Sequence, residues 1–108
     1  MTEPTAARVF QALADSTRRD MVERLTDHAL SVSALAAPYD MSLTAVGQHL
    51  AILEAAELVV TQKTGRVRTC ALTRSGFDIL EGWLKARRSR WEQHLDRLGE
   101  ILDDDHTF

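Results

Sequence analysis

The chain has 108 residues, 44% hydrophobic and 27% charged, with a net charge of −3. This is an ordinary globular composition with room for one domain and one core, so a single unit over 1–108 is expected. The lone cysteine, Cys70, excludes an intrachain disulfide. No run approaches the ~20 apolar residues that cross a bilayer, and the N-terminus lacks a basic segment followed by an apolar run, so a cytoplasmic chain with no membrane association is expected. The charge is uneven: setting aside residues 96–108 leaves 12 basic and 11 acidic residues. The acidity is largely a tail, and a strongly basic patch is absent, so non-specific affinity for nucleic acid should be modest.

Few aromatics and many Leu and Ala favour helices. Residues 5–14 place Val9, Phe10 and Leu13 on one helical face. Asp15 or Ser16 can cap a second helix with apolar positions Met21, Val22 and Leu25. Ser31 can cap a short third helix holding Val32, Leu35 and Ala36, limited by Pro38. Tyr39-Asp40-Met41 reads as a turn, and Ser42 as the cap of a fourth helix running to about Ala56. Two short helices joined by a tight turn are a helix-turn-helix signal.

In the fourth helix Val46, Leu50 and Leu53 share the inward face. Thr44 and Gln48 lie roughly opposite, flanked by Gly47 and Ala51. That face is short and uncharged, so it can approach base edges, and Gln pairs with adenine through two hydrogen bonds. Alone, Thr44 and Gln48 read equally well as solvated polar residues; the flanking turn and hairpin favour contact with DNA. Residues 58–62 and 67–72 have strand composition, joined by Lys63-Thr64-Gly65-Arg66, with Gly65 able to take positive φ. Lys63, Arg66 and Arg68 can meet phosphates or a minor groove, although any hairpin tip carries charges.

Residues 75–102 form the longest expected helix, with Phe77, Leu80, Leu84, Trp91, Leu95, Leu98 and Leu102 recurring at spacings of three, four and seven and Trp83 beside them. The stripe exceeds what a small domain needs for its own core. A homodimer interface is expected from Val9, Phe10, Leu13, Trp83, Leu84, Trp91, Leu95 and Leu98, set against the alternative that both Trp residues cover the monomer core. Lys85, Arg87, Arg88 and Arg90 read as a solvated face paired with Glu81 and Glu92.

Three segments resemble the ArsR family of bacterial regulators. Ala12–Arg19 (ALADSTRR) is similar to the family's "LADPTR" signature; Ala45–Val59 (AVGQHLAILEAAELV) to "xVSxHLxxLxxAGLV"; and Gly65–Thr73 (GRVRTCALT) to "GRxxxYxLT". With the helical ends, the resemblance covers nearly the whole chain. It implies a mainly α fold with a small β-hairpin wing, in the order α-α-α-α-β-β-α, and a homodimer paired through its first and last helices. It implies a transcriptional regulator, usually a repressor, whose recognition helix starts at Ser42. By that resemblance Gln48 faces DNA, Arg66 sits at the wing tip, and His49 is a packing and hydrogen-bonding residue. The expected DNA contacts are Ser42, Thr44, Gly47, Gln48, Lys63, Arg66 and Arg68.

Departures from the family pattern are Gly47 where Ser is usual, Glu57 in place of a Gly that favours a left-handed conformation, and Cys70 in place of Tyr. Many relatives bind metals or arsenite through third-helix cysteines or last-helix Asp, His and Glu. Here Ser31–Ala37 has no thiolate, Cys70 is alone, and Asp78, His94 and Asp96 do not form the usual constellation. Asp103-Asp104-Asp105-His106 reads better as a frayed acidic tail than as a cation site. No metal and no cofactor are expected; the effector is not legible. Nor does any nucleophile-base-orienter set or phosphate-binding glycine loop suggest an enzyme. The alternative is a winged helix used for protein association, without its own operator.

Overall fold

The computed structural model describes residues 5–105, with side chains to Asp103. The chain forms α1 (Ala6–Leu13), α2 (Ser16–Asp27), β1 (Leu30–Ser31), α3 (Val32–Ala36), α4 (Leu43–Ala55), β2 (Val59–Thr64), β3 (Val67–Leu72) and α5 (Arg74–Asp105). The first four helices start where a side-chain oxygen meets an orphan N–H. Thr5 accepts from the Arg8 N–H, Asp15 from Arg18, Ser31 from Ala34 and Ser42 from Ala45.

The sheet has the order β1-β3-β2 and is antiparallel throughout. β1 was not expected: it pairs Leu30 with Cys70 and Ser31 with Thr69. Two residues carry no period, and Ser31 reads as a helix cap, a job it also performs. β2 ends two residues later than expected because Thr64 pairs with Val67, leaving a two-residue Gly65-Arg66 turn with Gly65 at φ 63°.

The core gathers the inner faces of four helices and the sheet. Val9, Met21, Leu35, Val46, Leu53, Leu58 and Cys70 are fully enclosed, with Leu13, Phe77, Ile79 and Leu80 packed around them. Each such aliphatic side chain contributes about 1.5–3 kcal/mol. The expected α1 face is corrected here. Val9 lies inside with Ala12 and cannot meet another copy, whereas Phe10, one position on, turns outward against Trp83, ring centroids 5.1 Å apart.

α4 ends in a reversed turn. Leu58 N–H reaches the Leu53 carbonyl and Glu57 N–H the Glu54 carbonyl, with Glu57 at φ 55°. This is the pairing of a Schellman cap, where glycine is normal; a side chain there costs about 1–2 kcal/mol. The start of α5 lies directly on this cap. Gly76 N–H donates to the Glu57 carbonyl at 2.8 Å, and a Cβ on Gly76 would stand 2.4 Å from the Ala56 carbonyl oxygen and 2.8 Å from that of Glu57. Only glycine allows that approach. α5 then projects: the radius of gyration is 19.1 Å, against ~13 Å for a compact chain of this length.

Candidate nucleic-acid interface

The helix pair is held by side chains outside it. Arg24 on α2 donates to the Leu35 carbonyl at 2.6 Å and the Ala34 carbonyl at 3.0 Å, closing the carbonyl end of α3. Its guanidinium lies 5.3 Å from the Tyr39 ring centre. Tyr39 hydroxyl donates to Asp20, and burial together with that carboxylate raises the Tyr39 pKa. The turn between α3 and α4 is thereby fixed to α2.

On α4, Val46 and Leu53 are fully buried and Leu50 nearly so, while Thr44, Gly47, Gln48 and Ala51 are exposed, as their spacing requires. Ser42 is exposed, with its hydroxyl committed to the cap. A Cβ on Gly47 would meet nothing within 4 Å, so packing does not demand glycine there. Leu43 was not singled out from sequence, yet it is 69% exposed at the helix start, one turn from Gly47. Its place at i−4 from Gly47 was a usable signal.

Arg18 ties the back of α4 to the α1–α2 junction. Its Nε donates to the Ala12 carbonyl at 2.7 Å, Nη2 to the Gln11 carbonyl at 3.1 Å, and Nη1 lies 3.2 Å from His49 Nδ1. Asp15 Oδ2 is 4.0 Å from the same nitrogen. The backbone N–H of Arg18 lowers the Asp15 pKa, which the Arg18 charge also favours. His49 therefore sits in a hydrogen-bonded junction next to Gln48.

In the wing, Lys63 stands directly across from Arg68. Two like charges opposite each other on a ladder repel and favour an anion nearby. Arg66 is exposed at the turn. Arg68 is partly engaged: its Nη1 donates to Thr61 Oγ1 at 3.1 Å, and Thr61 donates to Glu54 at 3.4 Å. A chain of hydrogen bonds thus links the wing to the last turn of α4. Cys70, fully buried, has its thiol pKa pushed up by burial and by nearby Glu54, which keeps it protonated and unreactive.

Along α5, Leu84, Trp91, Leu95, Leu98, Ile101 and Leu102 are all exposed. Trp83 is half-buried between Phe10 and Trp91, and Leu13 is half-buried against the core. Lys85 pairs with Glu81 at 3.8 Å and Arg88 with Glu92 at 2.7 Å, as their spacing suggested, but Arg87 does not: it lies over the Trp83 ring, 4.3 Å from its centre. Among the described residues no group of three or more His, Cys, Asp and Glu side chains is gathered as a metal would need. His106, in the acidic tail, lies outside the described residues. No described helix is long and apolar enough to cross a membrane.

Two capped helices, an uncharged exposed face on the second and a cationic hairpin define a winged helix-turn-helix transcriptional regulator. The family model described as a helix-turn-helix domain matches residues 13–62. The HTH-type transcriptional regulator Rv2034 of Mycobacterium tuberculosis is 37% identical over 98 residues, covering 91% of this chain and 89% of the relative. The crystal structure of the ArsR family transcriptional regulator RHA00566 is 43% identical with a TM-score of 0.75, over 80% of this chain and 89% of that one. An ArsR-like transcriptional regulator from Rhodococcus sp. RHA1 superposes with a TM-score of 0.72 at 29% identity, over 89% of this chain and 91% of that one. The chain belongs to the ArsR family of winged helix-turn-helix regulators. These relatives are regulators of transcription, not enzymes.

Proposed function

We propose that this chain is a homodimeric repressor, a single winged helix-turn-helix unit that reads an inverted-repeat operator in the cytoplasm without a metal ion. The observation that carries it is the exposed, uncharged face of α4 beside the crowded cations of the wing. Thr44, Gly47 and Gln48 face base edges, with Gln48 bidentate to an adenine; Ser42, Lys63, Arg66 and Arg68 meet the backbone. Leu43 adds an apolar contact suited to a thymine methyl.

Dimerisation rests on the exposed stripe of α5, with Phe10, Leu13, Trp83, Leu84, Trp91, Leu95 and Leu98 on or beside it. Such a row is more apolar surface than a monomer usually leaves uncovered. Metal independence rests on donor chemistry: α3 carries no thiolate, and the one cysteine is enclosed. The expected corollary is that adding Zn²⁺ leaves operator affinity unchanged.

The test is selection of bound sites from a random DNA pool at near-physiological salt. The expected result is an enriched inverted repeat with half-site centres about one helical turn apart, bound more weakly as salt rises. Gln48→Ala should then lose discrimination at one base pair per half-site, by about 1–3 kcal/mol; unchanged sequence preference would displace the reading face from Gln48. The second reading, a protein-association module, draws on the net charge of −3 and the same stripe. No enrichment from folded, dimeric protein, with a stable protein complex recovered instead, would favour it.

A further inference from the structure

The basic residues of α5 fall into two groups. Lys85 and Arg88 lie on the outer side and pair with Glu81 and Glu92. Arg87, Arg90 and Arg97 lie on the other flank of the apolar stripe, and no ion pair among the described residues involves them. For Arg87 and Arg90 the sequence makes this unavoidable. Positions three and four away from Arg90 are Ala86, Arg87, Gln93 and His94; those around Arg87 are Trp83, Leu84, Arg90 and Trp91. No carboxylate is within helical reach of either, and Arg87 and Arg90 are themselves one turn apart, a spacing at which like charges destabilise a helix. Arg97 has Glu100 one turn on but makes no ion pair with it.

These cations border a concavity of roughly 530 Å³ lined by Trp83, Arg87, Arg90, Trp91, His94 and Arg97. That is within the ~300–1,000 Å³ range of small-ligand sites. Its apolar wall is the two indoles, 5.8 Å apart at an angle of 59°. Arg87, stacked 4.3 Å over Trp83 and donating to the Trp83 carbonyl, is held in place rather than swinging in solvent. A planar guanidinium so placed suits a carboxylate or sulfonate, which it can hold through paired hydrogen bonds.

We infer that this flank of α5 is a binding site for a small organic anion with a flat apolar body, an aryl carboxylate being the simplest. The anionic group meets Arg90 and Arg97, Arg87 closes the site from above Trp83, and the flat body lies against the exposed ring of Trp91. Arg90 and Arg97 sit roughly a quarter-turn from the line of Leu84, Trp91 and Leu98, so a second copy seated on the stripe would wall the site rather than fill it. The inference goes beyond the DNA-reading proposal and does not require it.

The experiment titrates 2-naphthoate into the full-length protein without DNA, by calorimetry and by following the indole N–H resonances of Trp83 and Trp91, the chain's two tryptophans. Saturable binding that shifts both indoles is expected. Uncharged 2-naphthalenemethanol should bind at least tenfold more weakly, and a tenfold excess of inorganic phosphate should not displace naphthoate. Arg87→Gln/Arg90→Gln, with the single Arg90→Gln variant as a check should the double variant unfold, should bind naphthoate at least tenfold more weakly with unchanged sedimentation and circular dichroism. Absence of binding, equal affinity for the alcohol, displacement by phosphate at equal concentration, or unaltered affinity in the folded variants would each overturn the inference. Because no DNA is present, this site and the operator reading can fail independently.

Discussion

The body of the molecule and the far half of α5 solve the problem of apolar surface in opposite ways. Every enclosed hydrophobic residue lies between Val9 and Cys70, whereas from Leu84 onward the large apolar side chains of α5 stand exposed. The body is stabilised by its own core. The far half of α5 keeps its helix through local pairs such as Arg88–Glu92 and continuity with its packed beginning. A 32-residue helix with an unspent apolar row is built for something outside the monomer. The contrast teaches that hydrophobic periodicity alone does not say which molecule buries a stripe.

The comparison can be broken most forcefully at the core. Leu53→Ala should cost about 2–5 kcal/mol in urea unfolding; a loss under 1 kcal/mol would mean that the body is not packed as described. Next comes the helix cap at Asp15. Its pKa is lowered in the fold, so its contribution is present above the usual carboxylate range and is lost as pH falls below about 4. Asp15→Ala should therefore cost about 1 kcal/mol near neutrality, and the difference should close in acid. A gap that stayed constant between pH 7 and pH 3 would show that the carboxylate does not supply it.

On the surface of the body, Gly47→Ala should stabilise by up to ~1 kcal/mol, because the added methyl meets nothing and glycine is the poorer helix former. Weakened operator binding despite that gain would mark the bare backbone as needed by DNA. The smallest change in monomer stability is expected from Leu95→Ser with Leu98→Ser on α5. At concentrations where the chain is monomeric, unfolding should shift by no more than ~0.5 kcal/mol, while sedimentation equilibrium shows the dimer lost. A large monomer destabilisation would mean that the stripe serves this chain's own fold.

Much of this was legible in the sequence because it depends on neighbours. The caps at Asp15, Ser31 and Ser42 and the inward row Val46, Leu50, Leu53 are fixed by spacings of three and four. The exposed row Thr44, Gly47, Gln48 follows from the same period. What could not be read depends on residues far apart in the chain. β1 exists because Leu30 finds Cys70, forty positions away. Val9 and Phe10 exchanged expected roles because α5 returns to put Trp83 beside Phe10. Arg24 closing α3, and Arg18 reaching His49, are bonds across elements that no local pattern announces. The left-handed Glu57 was half-legible: the family prefers glycine there, and the chain adopts the glycine conformation without the glycine.

That cap at Glu57, pressed against Gly76 with no room for a methyl group, makes the joint between α4 and α5 a weld rather than a hinge. In the proposed dimer the reading heads would then have no slack of their own. The gap between them would be set by the angle at which the two long helices cross, so the pair would act as a caliper of fixed jaw width. An operator lengthened by two or three base pairs between its halves would go unread because the jaws no longer fit, even with every contacted base intact.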